Sequence, residues 1–202
     1  MRTKHSNAAT QFYLASASPR RRELLAGVGL HFDVVRVNLD ESDEPGEDPA
    51  GFVARMAREK ACLAAELVYG GGRRELPILA ADTCVTINGL ILGKPDDMIH
   101  AREMLCELSG NTHQVLTAVA LKSGGAIWQK LSRNRVSFEV LSPRDIDAYC
   151  ASGEPSDKAG AYAIQGLGAA FVKRMEGSYT GVVGLPMYET RCLLKKIGID
   201  WL

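Results

Sequence analysis

The chain has 202 residues, enough for one compact domain or two small lobes sharing a core, since single cores rarely extend far past ~250 residues. Hydrophobic residues make up 46% and charged residues 24%, which excludes a disordered chain, and 24 basic against 24 acidic side chains cancel, so no global field draws it to nucleic acid or membrane. No apolar run approaches the roughly 20 residues that span a bilayer, and MRTKHSNAAT lacks the apolar middle of a signal peptide, which points to a cytoplasmic protein with a frayed extension over residues 1–10.

Residues 11–16 read as a short buried strand that turns through Ser16-Ala17-Ser18 into a helix opening at Pro19. Ser18 suits an N-cap and proline the first helical position; Leu24, Leu25 and Val28 form an apolar stripe, and Gly29 can close the helix. A strand follows at 31–37. The stretch DESDEPGEDP, 40–49, carries six acids and no base around a Pro45-Gly46 turn and reads as a loop. Asp48-Pro49 then opens a long helix over 50–69, with Phe52, Val53, Met56, Leu63 and Leu67 at roughly helical spacing.

PILAADTCVTI at 77–87 is the most strand-like segment, and Asn88-Gly89 before LIL signals a tight hairpin. A helix over 97–109, capped by Asp96 and ended by Gly110, precedes two strands at 112–121 and 125–140 joined by KSGG. Ser142-Pro143 opens a short helix that stops at Gly153. The remaining residues are expected to alternate glycine-rich turns with short strands in DKAGAYAIQG, AAFVKRMEGSY and GVVGLP, before a terminal helix from Pro186 to Gly198. Helices interleaved with strands and at least one hairpin define an α/β or α+β architecture on a mixed sheet.

Arg20, Arg21 and Arg22 crowd a helix start, where positive charge opposes the helix dipole at about a few tenths of a kcal/mol each on a free surface. An anion would offset that cost: the strand, serine-rich turn and open helix N–H groups form a phosphate site to which guanidinium groups add bidentate donors. Arg22 equally suits a solvated face. Asp82 stands alone among Leu79, Ala80, Ala81, Cys84 and Val85, so its carboxylate must be paired or face a cleft. There it could hold a metal ion or a water, or simply accept bonds from a turn. Glu41 could join it in a carboxylate pair for a divalent ion, or be solvated. Lys60 in AREKA and Lys94 in LGKP could reach a phosphate chain, or lie on the surface. Lys158 beside Asp157 reads as a local ion pair. The Gln165 amide offers a donor and an acceptor that match a uracil or thymine edge, or a nearby backbone.

The five cysteines are odd in number and widely separated, without C-x-x-C spacing, and are expected to be buried thiols; the four histidines form no H-x-x-x-H pair. Gly93-Lys94 is followed by proline, so there is no P-loop, and GLGAAF at 166–171 lacks the third glycine of a dinucleotide fingerprint.

LASASPRRRELL, AREKA, AADTCV, LGKP, LSGNTHQVLTAVAL, DKAGAYAIQG and GSYTGVVGLPMYET occur in one order over about residues 12–197, and by them the chain resembles the Maf family of nucleoside triphosphate pyrophosphatases. The resemblance implies an α/β fold of two lobes around a mixed, strongly twisted sheet with a cleft between them, a divalent cation (Mg or Mn), and hydrolysis of a nucleoside triphosphate to the monophosphate and pyrophosphate. It places Ser16, Arg20 and Arg21 on the phosphate-binding turn, Lys60 and Lys94 among the basic residues, Asp82 as the catalytic carboxylate and Glu41 in the acidic segment. DKAGAYAIQG is similar to the subgroup acting on dTTP and UTP, in which Arg20, Thr83 and Gln165 help set base choice.

The resemblance thus implies nucleotide-pool house-cleaning, acting on dTTP, UTP and modified pyrimidine triphosphates, while the balanced charge and the lack of a long apolar run speak against membrane or nucleic acid; the sequence allows a homodimer but gives no interface. The alternative is a nucleic-acid or partner-binding regulator of cell division without turnover, with Tyr162 or Phe171 stacking on a base.

Overall fold

The structure, a computed structural model, describes residues 9–42 and 44–202; the expected frayed extension therefore lies, for residues 1–8, outside the described residues. β1 (Phe12–Ala15), buried at all four positions, lies between β2 (Phe32–Val34) and β3 (Ile78–Ile87), parallel to both. Crossovers through α1 (Pro19–Gly27) and α2 (Pro49–Gly70) make those parallel pairings, as parallel neighbours require. β3 then pairs antiparallel with β4 (Leu90–Leu92) on one side. On its other side β3 pairs antiparallel with β5 (Thr112–Ser123), and α3 (Met98–Leu108) intervenes between β4 and β5. β6 (Ala126–Phe138) and β7 (Val172–Glu176) complete a seven-stranded mixed sheet in the order β2-β1-β3-β5-β6-β7. The expected α/β architecture on a mixed sheet is what forms. Asn88 and Gly89 close the β3–β4 hairpin with φ of 52° and 82°, the pair of positive angles that a primed turn needs.

Two lobes follow from what covers the sheet. Over β1, the first half of β3 and the second half of β5, α2 packs on one face and α1 with α6 (Met187–Leu194) on the other. Beyond, Val85, Ile87, Val115 and Val136 pack against α3, α4 (Pro143–Ala151) and the turn at Ala159–Ala161. Between the lobes, β1 pairs with β3 only as far as Ala80 and β4 joins only at Val85, so Ala81–Cys84 form an open edge just past the carboxyl end of β1. Ligands of α/β proteins lie outside the carboxyl ends of strands, and this gap offers such a crevice.

Several local expectations are corrected. α3 is capped by Asp97, whose Oδ1 accepts the His100 N–H at 2.8 Å; Asp96 instead lies with its Oδ2 3.0 Å from the His100 ring. Leu67 is 52% exposed, and α2 buries Ala57, Ala61, Ala64 and Ala65 instead, small residues that let the helix lie close on the sheet. Ser18 occupies the N-cap position of α1 but makes no side-chain cap bond. Of the cysteines only Cys84 is buried, and Cys106 is exposed. DKAGAYAIQG holds short 3-10 turns and no strand, and Gly181-Val182-Val183 lie in α5 (Tyr179–Val183) with Gly184 as its C-cap. Only Val172–Glu176 of that region is a strand.

Candidate active site

A cavity of about 800 Å³ opens on the bare edge of β3 and is walled by both lobes. Ser16, Arg20, Arg21, Glu41, Lys60, Asp82, Thr83, Lys94 and Gln165 all line it. Residues spread over 150 positions of sequence are thus gathered around one volume, large enough for a nucleotide by the ~300–1,000 Å³ of ordinary ligand sites.

The two neighbouring arginines divide their work. Arg21 donates from Nε to the Gly184 carbonyl at 2.7 Å, from Nη1 to the Ala81 carbonyl at 2.6 Å and Ser16 Oγ at 3.2 Å, and from Nη2 to Thr83 Oγ1 at 3.1 Å. Four of the five N–H donors of a guanidinium are therefore engaged, leaving its charge and one N–H for an anion. The Thr117 hydroxyl gives its one hydrogen to the Gly181 carbonyl at 2.8 Å, so across the 2.9 Å contact with Thr83 it is Thr83 that donates. A directed chain runs from Arg21 through Thr83 and Thr117 to α5, fixing the Thr83 hydroxyl inward. Arg20, in contrast, lines the cavity near Lys158, while Arg22 is exposed as its solvated reading required.

Ser16 is 7% exposed and accepts from the Ser18 N–H and Arg21 at 3.2 Å each, which leaves its own hydroxyl hydrogen to donate. With no side-chain cap and no acid in its first turn, α1 keeps its first N–H groups and the positive end of its dipole for a ligand.

On the opposite face of β3, the Lys60 ammonium lies between two carboxylates, 2.6 Å from Asp82 Oδ1 and 2.6 Å from Glu41 Oε1, with Lys94 3.6 Å from the other Glu41 oxygen. Asp82 is 7% exposed, and burial raises its pKa above the ordinary carboxylate value against the pull of Lys60 and Arg21. Burial also works to raise Glu41, but the bond to Lys60 and the charges of Lys60 and Lys94 outweigh it, and Glu41 is held below its usual value. The two acids that share one ammonium are thus pushed apart, Asp82 toward proton uptake and Glu41 toward the ionised form.

Sequence reasoning passed over three features. Lys158 does pair with Asp157, yet it also lines the cavity, and burial followed by the nearby charge of Arg20 lowers its pKa. Thr117 and the Gly181 and Gly184 carbonyls anchor Arg21 from far along the chain; the only hint of them was the glycine-rich GSYTGVVG. Glu154 and Tyr149 hold the loop that carries Gln165, which is exposed on the cavity wall.

Fold and cavity together define a mixed α/β protein with a cleft built for an anionic ligand beside a buried acid. Residues 11–197 match the profile described as Maf-like protein, and the chain belongs to that family. It is 50% identical over 191 residues to the dTTP/UTP pyrophosphatase of Chromobacterium violaceum, covering 95% of this chain and 96% of that one. The dTTP/UTP pyrophosphatase of Methylococcus capsulatus is 50% identical over 186 residues, 92% of this chain and 90% of its own. That of Salmonella typhimurium is 51% identical over 185 residues, 92% of each. Among solved structures, the Staphylococcus aureus Ham1 protein aligns with a TM-score of 0.40 at 14% identity over 64% of this chain and 71% of that one.

Proposed function

We propose that the chain hydrolyses dTTP and UTP, and modified pyrimidine triphosphates of the same shape, to the nucleoside monophosphate and pyrophosphate. The observation that carries the reading is a buried aspartate, held by Lys60, in a nucleotide-sized cavity with Arg20, Lys94 and an uncapped helix start. The names of the relatives agree with it. Asp82 accepts a proton from water as that water attacks the α-phosphorus, and the burial that raises its pKa makes it a stronger base than an exposed aspartate. The Ser16 hydroxyl, the first N–H groups of α1, Arg20, Lys94 and Lys158 bind the phosphate oxygens and stabilise the leaving pyrophosphate, which is where most catalysis of phosphoryl transfer resides. Arg21 keeps the β1–α1 turn, β3 and α5 in register around them. The Gln165 amide faces the pyrimidine edge.

Among the described residues no group of three or more His, Cys, Asp and Glu side chains gathers to hold a metal by itself. Asp82 and Glu41, whose Oδ1 and Oε1 are bridged by Lys60 at 2.6 Å each, would be the residues to hold a hard cation such as Mg or Mn through their other oxygens, since such ions take one or two carboxylates together with phosphate oxygens and waters. When bound, such a cation would neutralise phosphate charge and lower the pKa of a water. Among the described residues no helix is long and apolar enough to cross a membrane, and we propose that the substrate is free nucleotide in the cytoplasm. The rival reading loses its stacking rings: Tyr162 is 6% exposed, and Tyr162 and Phe171 both stack edge-on against Phe138.

A pyrophosphate-release screen over canonical and modified triphosphates, with and without divalent metal, tests this. UTP and dTTP should lead, and Asp82→Asn should fold and lose at least about 100-fold in kcat. Wild-type turnover in that variant removes Asp82 from the chemistry; no release from any triphosphate removes the function.

A further inference from the structure

Gln165 sits on a stretch of chain with little regular structure, between the turn at Ala159–Ala161 and the turn at Leu167–Phe171. A base-reading amide on such a loop needs something to fix it, because an unheld loop loses in ordering entropy much of what a new contact supplies. The loop's own backbone shows what does so. Glu154 accepts the Leu167 N–H on Oε2 at 2.9 Å and the Gly168 N–H on Oε1 at 3.0 Å, and its Oε1 also accepts the Tyr149 hydroxyl at 2.8 Å. The Tyr149 oxygen in turn accepts the Ala163 N–H at 3.2 Å. Amides on both sides of Gln165 thus end on one carboxylate–phenol pair.

Sterics point the same way. Gly166 has φ of 142°, and a Cβ there would run into the Glu154 carboxylate; a Cβ on Gly168 would lie 2.7 Å from the Tyr149 oxygen. The loop is wrapped as tightly as backbone allows. Tyr149 is itself fixed, 3% exposed on α4 with its ring edge-on to Phe171. The anchor therefore transmits the position of the second lobe to the cavity wall.

We propose that Glu154 and Tyr149 are positioning residues for base recognition: they touch no nucleotide, and by holding residues 163–168 they set where Gln165 meets the base edge. This rests on the reading of Gln165 as the pyrimidine contact. Burial alone would raise the pKa of Glu154, but the two backbone N–H groups and the Tyr149 hydroxyl hold it below the ordinary glutamate value, so the anchor is a carboxylate at neutral pH. A glutamine in its place brings an NH2 group against an N–H donor and loses at least one of the three bonds.

The test is steady-state kinetics with UTP, dTTP and GTP on the full chain. Glu154→Gln should raise KM for UTP and dTTP by about tenfold, lower kcat by less than KM rises, and cut the preference over GTP by a similar factor. Gly166→Ala, which pushes the loop and the carboxylate apart without removing the charge, should give the same signature, Tyr149→Phe a weaker one, and Glu154→Asp should recover part of what Gln loses. A merely structural role would lower the active fraction equally for every nucleotide. An unchanged pyrimidine-to-purine ratio in Glu154→Gln overturns the proposal; if that variant does not fold, the same ratio in Gly166→Ala and Tyr149→Phe decides. Gln165→Ala runs in parallel: an unchanged ratio there removes Gln165 as the reader, while a shift there without one in Glu154→Gln removes only the anchor.

Discussion

On the phosphate side of the cleft, one guanidinium ties the β1–α1 turn, β3 and α5 together through four hydrogen bonds, all to groups on or beside regular elements. On the opposite wall, which carries Gln165, the chain from Glu154 to Phe171 has only short 3-10 turns, and a single carboxylate–phenol pair takes the amides of Ala163, Leu167 and Gly168 that flank Gln165. In the proposed reading the first wall meets the charge that every nucleoside triphosphate carries, and the second, a loop on a post, meets the base. That reading puts chemistry and base choice in separable parts, and substitutions should hurt them separately: turnover through the first wall, preference through the second.

The sharpest break in that comparison is Arg21 against Arg20, two like residues one position apart. Arg21→Lys replaces a planar fork by at most three donors from one point and strands buried carbonyls at Ala81 and Gly184. We expect about 2–4 kcal/mol lower stability by urea unfolding, and kcat down by about 100-fold. Arg20→Ala should leave the unfolding midpoint within about 0.5 kcal/mol and raise KM for all triphosphates by about tenfold. Equal effects of the two would mean that Arg21 is a phosphate ligand like its neighbour.

A smaller loss of turnover is expected from Lys60→Gln, and it carries a sign. Burial raises the pKa of Asp82, and the first force opposing that rise is the charge of Lys60. Without it the pKa climbs further, and because the base must be ionised, activity is lost at higher pH on the acid side. The acid limb of kcat/KM should move to higher pH, with about a tenfold loss on the plateau. A limb that stays in place would separate Asp82 from the titrating group.

How far these walls could be read from sequence follows the reach of their interactions. The Asn88-Gly89 turn and the Ser142 cap, where Ser142 Oγ accepts the Asp145 N–H and the Asp145 carboxylate accepts back from Ser142, are local and legible. So was the isolation of Asp82 within an apolar run. Asp96 and Asp97 differ only in which one faces the His100 N–H, a choice of backbone angle that residue type does not encode. GVVG has strand-like β-branched residues, yet the Ser178 hydroxyl accepts the Gly181 N–H at 3.1 Å and starts a helix whose carbonyl then meets Thr117. Arg20 and Arg21 point about 100° apart on the same turn, and only the partner carbonyls, 60 and 163 residues away, separate their roles. Local chemistry singled out the residues; only long-range bonds tell their surroundings apart.

The least effect on turnover at neutral pH belongs to His113, beneath the base wall, and it sharpens the comparison through stability. Its Nε2 meets the hydroxyl of Tyr162, a cavity-lining residue, at 2.8 Å, while Nδ1 is buried without a partner. Burial lowers its pKa from 6.5 to about 4. Between those values the unfolded chain binds a proton that the folded chain refuses, so the contribution is whole above pH 6.5 and is lost as pH falls toward 4, on the order of 3 kcal/mol in all. His113→Phe, which keeps the ring contact with Phe138 but cannot titrate, should flatten that part of the stability–pH curve in urea unfolding. Because Tyr162 leads directly into the Gln165 loop, amide protection factors at 159–168, corrected for the intrinsic slowing of exchange in acid, should fall between pH 7 and 5 before those of β1 and α1 do. Parallel pH slopes for wild type and variant, or simultaneous loosening of both walls, would show that the base side does not rest on this histidine.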